Sequence, residues 1–139
     1  MTPHVKLTVI ERNGRKCVSS GSPWEPVVGY SRAVRAGDFI FVTGTVGLEP
    51  DGRYGPTPRV QARRALEIIV AAIEALGGKA SDVVRTRIYV TNIEHWREIG
   101  EAHHEFFESI RPATTMVQVA RLIDTEAVVE IEADALITS

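Results

Sequence analysis

One cysteine, Cys17, excludes an intramolecular disulfide framework, and no CxxC or HxxxH spacing offers a metal-ligand pair. Aromatic residues are scarce: four Phe, three Tyr and two Trp are too few to line a groove in which nucleobases stack. No apolar run approaches the roughly 18 residues that a membrane helix needs. The opening MTPHVKLTVIERNGRK places charges where a secretory signal requires an unbroken apolar run, so a cytoplasmic location is expected. Like-charge blocks, repeats and low-complexity stretches are absent, and a net charge of −2 gives no electrostatic footprint for nucleic acid. No GxSxG elbow is present, and GTVG (44–47) is too short for a phosphate loop.

What remains is an ordinary chain of 139 residues, enough for one domain burying about two-thirds of its unfolded surface. VKLTVIE (5–11) alternates apolar and polar residues, Asn13-Gly14 signals a two-residue hairpin turn, and KCVSS (16–20) returns. GSPWEPVVG (21–29) reads as a loop. YSRAVRA (30–36) and the apolar FIFVTG (39–44) form a second hairpin whose later strand is expected to be buried on both faces. After a loop over 48–58, Thr57-Pro58 opens a helix: a hydroxyl cap, then proline where no N–H is needed. Ala62, Leu66, Ile69, Ile73 and Leu76 share one face of it, and Gly77-Gly78 ends it.

VVRTRIYVT (83–91) is a β-branched strand. Asn92 caps a second helix, with Trp96, Ile99, His103, Phe106 or Phe107, and Ile110 on its apolar face, and Pro112 stops it. TTMVQVARL (114–122) and AVVEIEADALI (127–137) close the chain as strands. The order predicts an α+β fold: a mixed sheet with both helices on one face. In the last strand Val129, Ile131, Ala133, Ala135 and Ile137 point one way; Glu130, Glu132 and Asp134 point the other. Three carboxylates on one face imply a solvated face, or a wet subunit interface carrying a pocket.

His103-His104 is not a metal pair, because adjacent helical residues do not face one another; His103 on the apolar stripe reads as a satisfied core or interface histidine. Arg59 and Arg63 share a helical face and Arg85 and Arg87 a strand face, which reads first as surface ion pairing and second as a rim for an anionic ligand.

GYSRAVRAGDFIFVTG, the helix end ALGG, VVRTRIYVTN, FFESIRPATTMVQVARL and VVEIEADAL together resemble the YjgF/Rid family, also labelled endoribonuclease L-PSP, from about Gly29 to Leu136. The resemblance implies a single chorismate-mutase-like domain over 1–139, with 1–28 as an N-terminal hairpin and loop extension. It also implies a homotrimer around a central β-barrel, helices outside, and small-molecule pockets between subunits. Founding members of the family deaminate reactive imines and enamines, and the resemblance brings no metal and no cofactor. Carried over by position, Tyr30 borders the pocket, Gly44 is the pocket glycine, and Glu130 helps to place the attacking water.

The departures are as informative. Imine-deaminating members carry, two residues after the strand-leading proline, an arginine that clamps the substrate carboxylate. Here Pro112 is followed by Ala113 and Thr114. A hydroxyl supplies neither charge nor a bidentate fork, and losing the clamp should weaken binding of amino-acid imines by roughly ten- to a hundred-fold. Thr45 stands where glutamine is frequent, and Ile123-Asp124 where proline is common. Arg111 is the first candidate to replace the cation, ahead of Arg32 and Arg121. Thr114 and Thr115 are then expected to orient a ligand other than an amino-acid-derived imine. Three activities follow: hydrolysis or deamination of a C–N bond with Glu130 as catalytic residue; a non-catalytic sensor or accessory subunit; and ribonuclease activity, which the acidic balance argues against.

Overall fold

A computed structural model describes residues 4–138; residues 1–3 and 139 of the expected domain lie outside the described residues. The strands are β1 (Thr8–Arg12), β2 (Arg15–Ser19), β3 (Ala33–Ala36), β4 (Phe39–Val46), β5 (Val83–Val90), β6 (Ala113–Gln118) and β7 (Val129–Leu136). They form one sheet in the order β1-β2-β3-β4-β7-β5-β6, in which only the β5–β6 pair is parallel. The sheet is therefore mixed, as expected. The first hairpin turns through Asn13 and Gly14, at φ 52° and 73°, the left-handed pair that a two-residue turn between twisted strands requires.

Helix α1 (Pro58–Ala75) starts where Thr57 accepts a hydrogen bond from the Val60 N–H at 3.2 Å. It ends where Gly77, at φ 94°, lets the Gly78 N–H reach back to the Ile73 carbonyl at 3.0 Å. Ala62, Leu66, Ile69, Ile73 and Leu76 are all buried against β4 and β7, each Leu or Ile contributing about 1.5–3 kcal/mol. Helix α2 (Trp96–Phe107) packs beside α1 and buries Ile99, Ala102 and Phe107. Both helices thus cover one face of the sheet. None of the described helices is long and apolar enough to cross a membrane.

Five sequence expectations need correction. Residues 21–29 are not wholly loop, since Glu25–Gly29 makes one π-helical turn that buries Glu25. Strand β4 is not buried on both faces: Ile40 and Val42 are buried, but Phe39 and Phe41 are 47% and 46% exposed, because the described residues supply no layer on the outer face. Asn92 caps a 3-10 turn, Ile93–His95, and α2 begins only at Trp96. Trp96 opens the helix half-exposed, beneath the Arg97 guanidinium at 4.8 Å, and joins no apolar face. Finally, β6 stops at Gln118, where its partner β5 runs out at Val90.

Candidate functional site

The acidic stripe of β7 divides on inspection of its partners. Glu132 accepts a hydrogen bond from the Tyr89 hydroxyl at 2.6 Å and lies 3.7 Å from Arg87; Asp134 lies 3.5 Å from the same guanidinium. Arg87 is thus an ion-pairing residue, and so are Arg59 and Arg63, which lie against Glu101 and Glu105 or Glu67 and Glu105. The Glu130 carboxylate has no ion pair or hydrogen bond with another of the described residues. Burial pushes its pKa up, Arg32 opposes the shift by its charge, and Glu132 adds to it.

A bulge in β4 makes room for this carboxylate. Val42 pairs with Ala133 and Thr45 with Ile131, so β4 holds one residue more than β7 across that stretch. Gly44 sits in the bulge. A Cβ there would overlap the Glu130 carboxylate, so glycine is required for space and not for its backbone angles. The bulge is braced by the Thr43 hydroxyl on the Ser31 carbonyl at 2.7 Å and by the Thr45 hydroxyl on the Thr43 carbonyl at 2.6 Å.

Arg32 is the hub that sequence reasoning placed only among stand-in cations. Buried, it donates from Nη1 to the Gly44 carbonyl at 2.7 Å and to Thr45 Oγ1 at 3.3 Å, from Nη2 to the Tyr30 hydroxyl at 3.3 Å, and from Nε to Ser20 at 3.4 Å. Its guanidinium also lies 5.5 Å from the centre of the Tyr30 ring and 3.9 Å from Glu25. Burial alone would raise the Glu25 pKa; hydrogen bonds from Ser20 and Ser19 and the charge of Arg32 outweigh it and hold it low. Tyr30 and Gly44 are therefore gathered around one cation, and Glu130 lies against Gly44 within reach of its charge. The signal in the sequence was the two-residue spacing of Tyr30 and Arg32, which puts both on one side of an extended segment.

Tyr54 is a second residue that sequence reasoning missed. Burial, the hydrogen bond and charge of Asp124, and the charges of Glu126 and Glu130 push its hydroxyl up to about 12, so it stays protonated beside the acid. Its loop is held by buried Gln61, which donates to the Gly55 and Glu126 carbonyls and accepts from the Val128 N–H, each within 3.2 Å.

Thr114, Thr115 and Arg111 lie elsewhere. Thr86, Ile88 and Val90 of β5 are buried on the helix side, and Thr114 pairs with Thr86. Tyr89, three residues on, pairs with Glu130. Thr114 therefore projects from the helix face and Glu130 from the opposite face; Thr115, beside Arg87 and Glu132, shares the face of Glu130 but sits on the edge strand. Arg111, at φ 52°, and Thr114 line a cavity of about 310 Å³ between α2 and β6, with His103 and Phe107. His103 is satisfied by Thr86 at 2.8 Å, and burial lowers its pKa. One chain thus brings together Tyr30, Gly44 and Glu130, and separately Arg111 and Thr114.

The comparisons agree with this architecture. The family model described as endoribonuclease L-PSP matches residues 21–137. The crystal structure of Rv2704 from Mycobacterium tuberculosis, a member of the YjgF/YER057c/UK114 family, is similar at a TM-score of 0.82 and 50% identity, over 88% of this chain and 99% of that one. An uncharacterized protein of Streptomyces coelicolor is 40% identical over 85% of this chain and 89% of its own length. A 2-iminobutanoate/2-iminopropanoate deaminase of Dermatophagoides farinae is 33% identical over 85% of this chain and 98% of its own. With its mixed sheet, two helices on one face and a match over most of its length, the chain belongs to the YjgF/Rid (endoribonuclease L-PSP) family and has the chorismate-mutase-like fold.

Proposed function

We propose that this chain, as one domain acting in the cytoplasm, binds a small polar metabolite in a pocket completed between copies of a homotrimer, and hydrolyses or deaminates a C–N bond there. The observation that carries the reading is Glu130, the one acid of the β7 stripe left without a partner among the described residues, held against a bulged glycine. Its raised pKa brings a carboxylate closer to the range in which a general base works at neutral pH. Glu130 takes a proton from water, the water oxygen bonds to the C=N carbon, and after proton transfer to nitrogen the C–N bond breaks, giving a carbonyl compound and an amine or ammonia. Tyr30 and Gly44 form the wall beside it.

Thr114 and Thr115, on the edge strand, and Arg111 just before it come to this acid from a second copy, since in one chain Thr114 faces away from Glu130 and Thr115 lies two strands from it. The bare face carrying Phe39 and Phe41, ring centres 5.9 Å apart, supports a covering partner. The relative named as an iminobutanoate/iminopropanoate deaminase supports C–N chemistry. Threonine at position 114 turns the pocket away from amino-acid-derived imines, whose carboxylate it meets with no charge.

The test is a panel of imines, enamines and amides with wild type and Glu130→Gln. Turnover that falls at least about a hundredfold in the variant, the order expected for a general base, supports the reading; equal turnover removes Glu130 from the mechanism. Thermal stabilisation by a panel member that is never consumed makes the protein a sensor. RNA cleavage that weakens steeply with salt would favour the ribonuclease activity that the family's description carries.

A further inference from the structure

Resting on that pocket reading, we propose that position 114 accepts a hydrogen bond from its ligand, so that the group recognised there is an N–H donor such as a carboxamide and not a carboxylate. Thr86 Oγ1, fully buried, lies 2.8 Å from His103 Nε2 and 2.8 Å from Thr114 Oγ1, and Thr114 Oγ1 lies 3.1 Å from the Pro112 carbonyl. A hydroxyl has one hydrogen and two lone pairs. If His103 Nε2–H donates to Thr86, then Thr86 donates to Thr114 and Thr114 donates to Pro112, which satisfies all three contacts. If instead Thr86 donates to an unprotonated Nε2, Thr114 must supply the hydrogen between the two threonines.

In both arrangements the Thr114 hydrogen is engaged inside the protein and at least one lone pair is left free. The result does not depend on the histidine tautomer, and protonation of His103 only selects the first arrangement. Serving a carboxylate would require Thr114 to give up an existing bond; accepting from an N–H breaks none. The side chain is exposed and opens on the 310 Å³ cavity, whose wall also carries Glu108 and Arg111. Arg111 Nε is held by the Glu108 carbonyl at 3.2 Å. The remaining guanidinium N–H groups suit the carbonyl oxygen of a carboxamide whose N–H meets Thr114, an acceptor and a donor side by side. The family position thus changes sign, from a cationic donor to a neutral acceptor.

Three probes of nearly equal shape test this: butanamide, pentan-2-one, in which methyl replaces the amide nitrogen, and butanoate. Binding is followed by ligand-observed NMR on the full chain. Wild type should hold butanamide about tenfold more tightly than the other two. Thr114→Val should level amide and ketone, and Thr114→Arg should turn the preference to butanoate. Equal binding of amide and ketone by wild type overturns the proposal and leaves the pocket standing. So does butanoate binding most tightly and being lost in Arg111→Met, which would make Arg111 the replacement clamp. Silence of all three probes with wild type, and of butanoate with Thr114→Arg, counts against the pocket and takes the proposal with it.

Discussion

Thr114 and Glu130 stand on opposite faces of one sheet, two strands apart, with β5 between them. A site that uses both is not contained in one chain. Sedimentation should therefore report more than one copy, a trimer on the proposed reading, and a stable monomer would contradict the pocket. Phe41→Glu, placed on the bare face beside Asp134, should dissociate the assembly and abolish ligand binding together.

Gly44→Ala drives a methyl group into the Glu130 carboxylate. The expected cost is about 1–3 kcal/mol of stability, with turnover lost as the acid is displaced. Adding Glu130→Asp, which withdraws the carboxylate by one methylene, should recover most of the stability and little of the turnover. Unaltered melting of Gly44→Ala would show that the bulge yields.

The pKa of Glu130 is raised in the fold, so the sign of its linkage is fixed: its contribution to stability is full below the unfolded value and lost as pH rises through the folded one. Glu130→Gln should accordingly melt higher than wild type at pH 8, by a margin that shrinks toward pH 4. A constant margin would place the acid in solvent. Glu25 works the opposite way, its lowered pKa giving stability that disappears as pH falls below the usual glutamate range. Glu25→Gln should flatten that acid limb.

Arg32 ties Tyr30, Gly44, Thr45 and Ser20 together over buried Glu25. Arg32→Met should cost about 3–5 kcal/mol, most of it from leaving an acid buried without its cation. Arg32→Lys keeps the charge but lacks the fork and should fall between the two. Chemical denaturation of the three proteins orders them.

How much of this was legible depended on the range of the interaction. The hairpin at Asn13-Gly14, the caps of α1 and the two faces of β7 are written within a few residues, and each stands where the sequence puts it. The bulge at Gly44 is not local: it arises from pairing β4 with β7, about ninety residues later, and no alternation in FIFVTG signals an extra residue. Arg32 was hidden for the same reason, since four of its hydrogen-bond partners come from three separated stretches. The half-exposed Phe39 and Phe41 look like core in sequence because they are apolar, but nothing among the described residues covers them. Position 114 was flagged by resemblance alone; that its hydroxyl is engaged with Thr86 required the parallel pairing of β5 and β6.

On the proposed reading the pocket persists while its carboxylate clamp has been replaced. Hydrolysis of enzymatically generated 2-iminobutanoate by wild type and by Thr114→Arg measures it most directly. Wild type should be weak or silent, and the arginine variant should gain roughly ten- to a hundred-fold. A wild type that already hydrolyses the imine as fast as Thr114→Arg would contradict that reading.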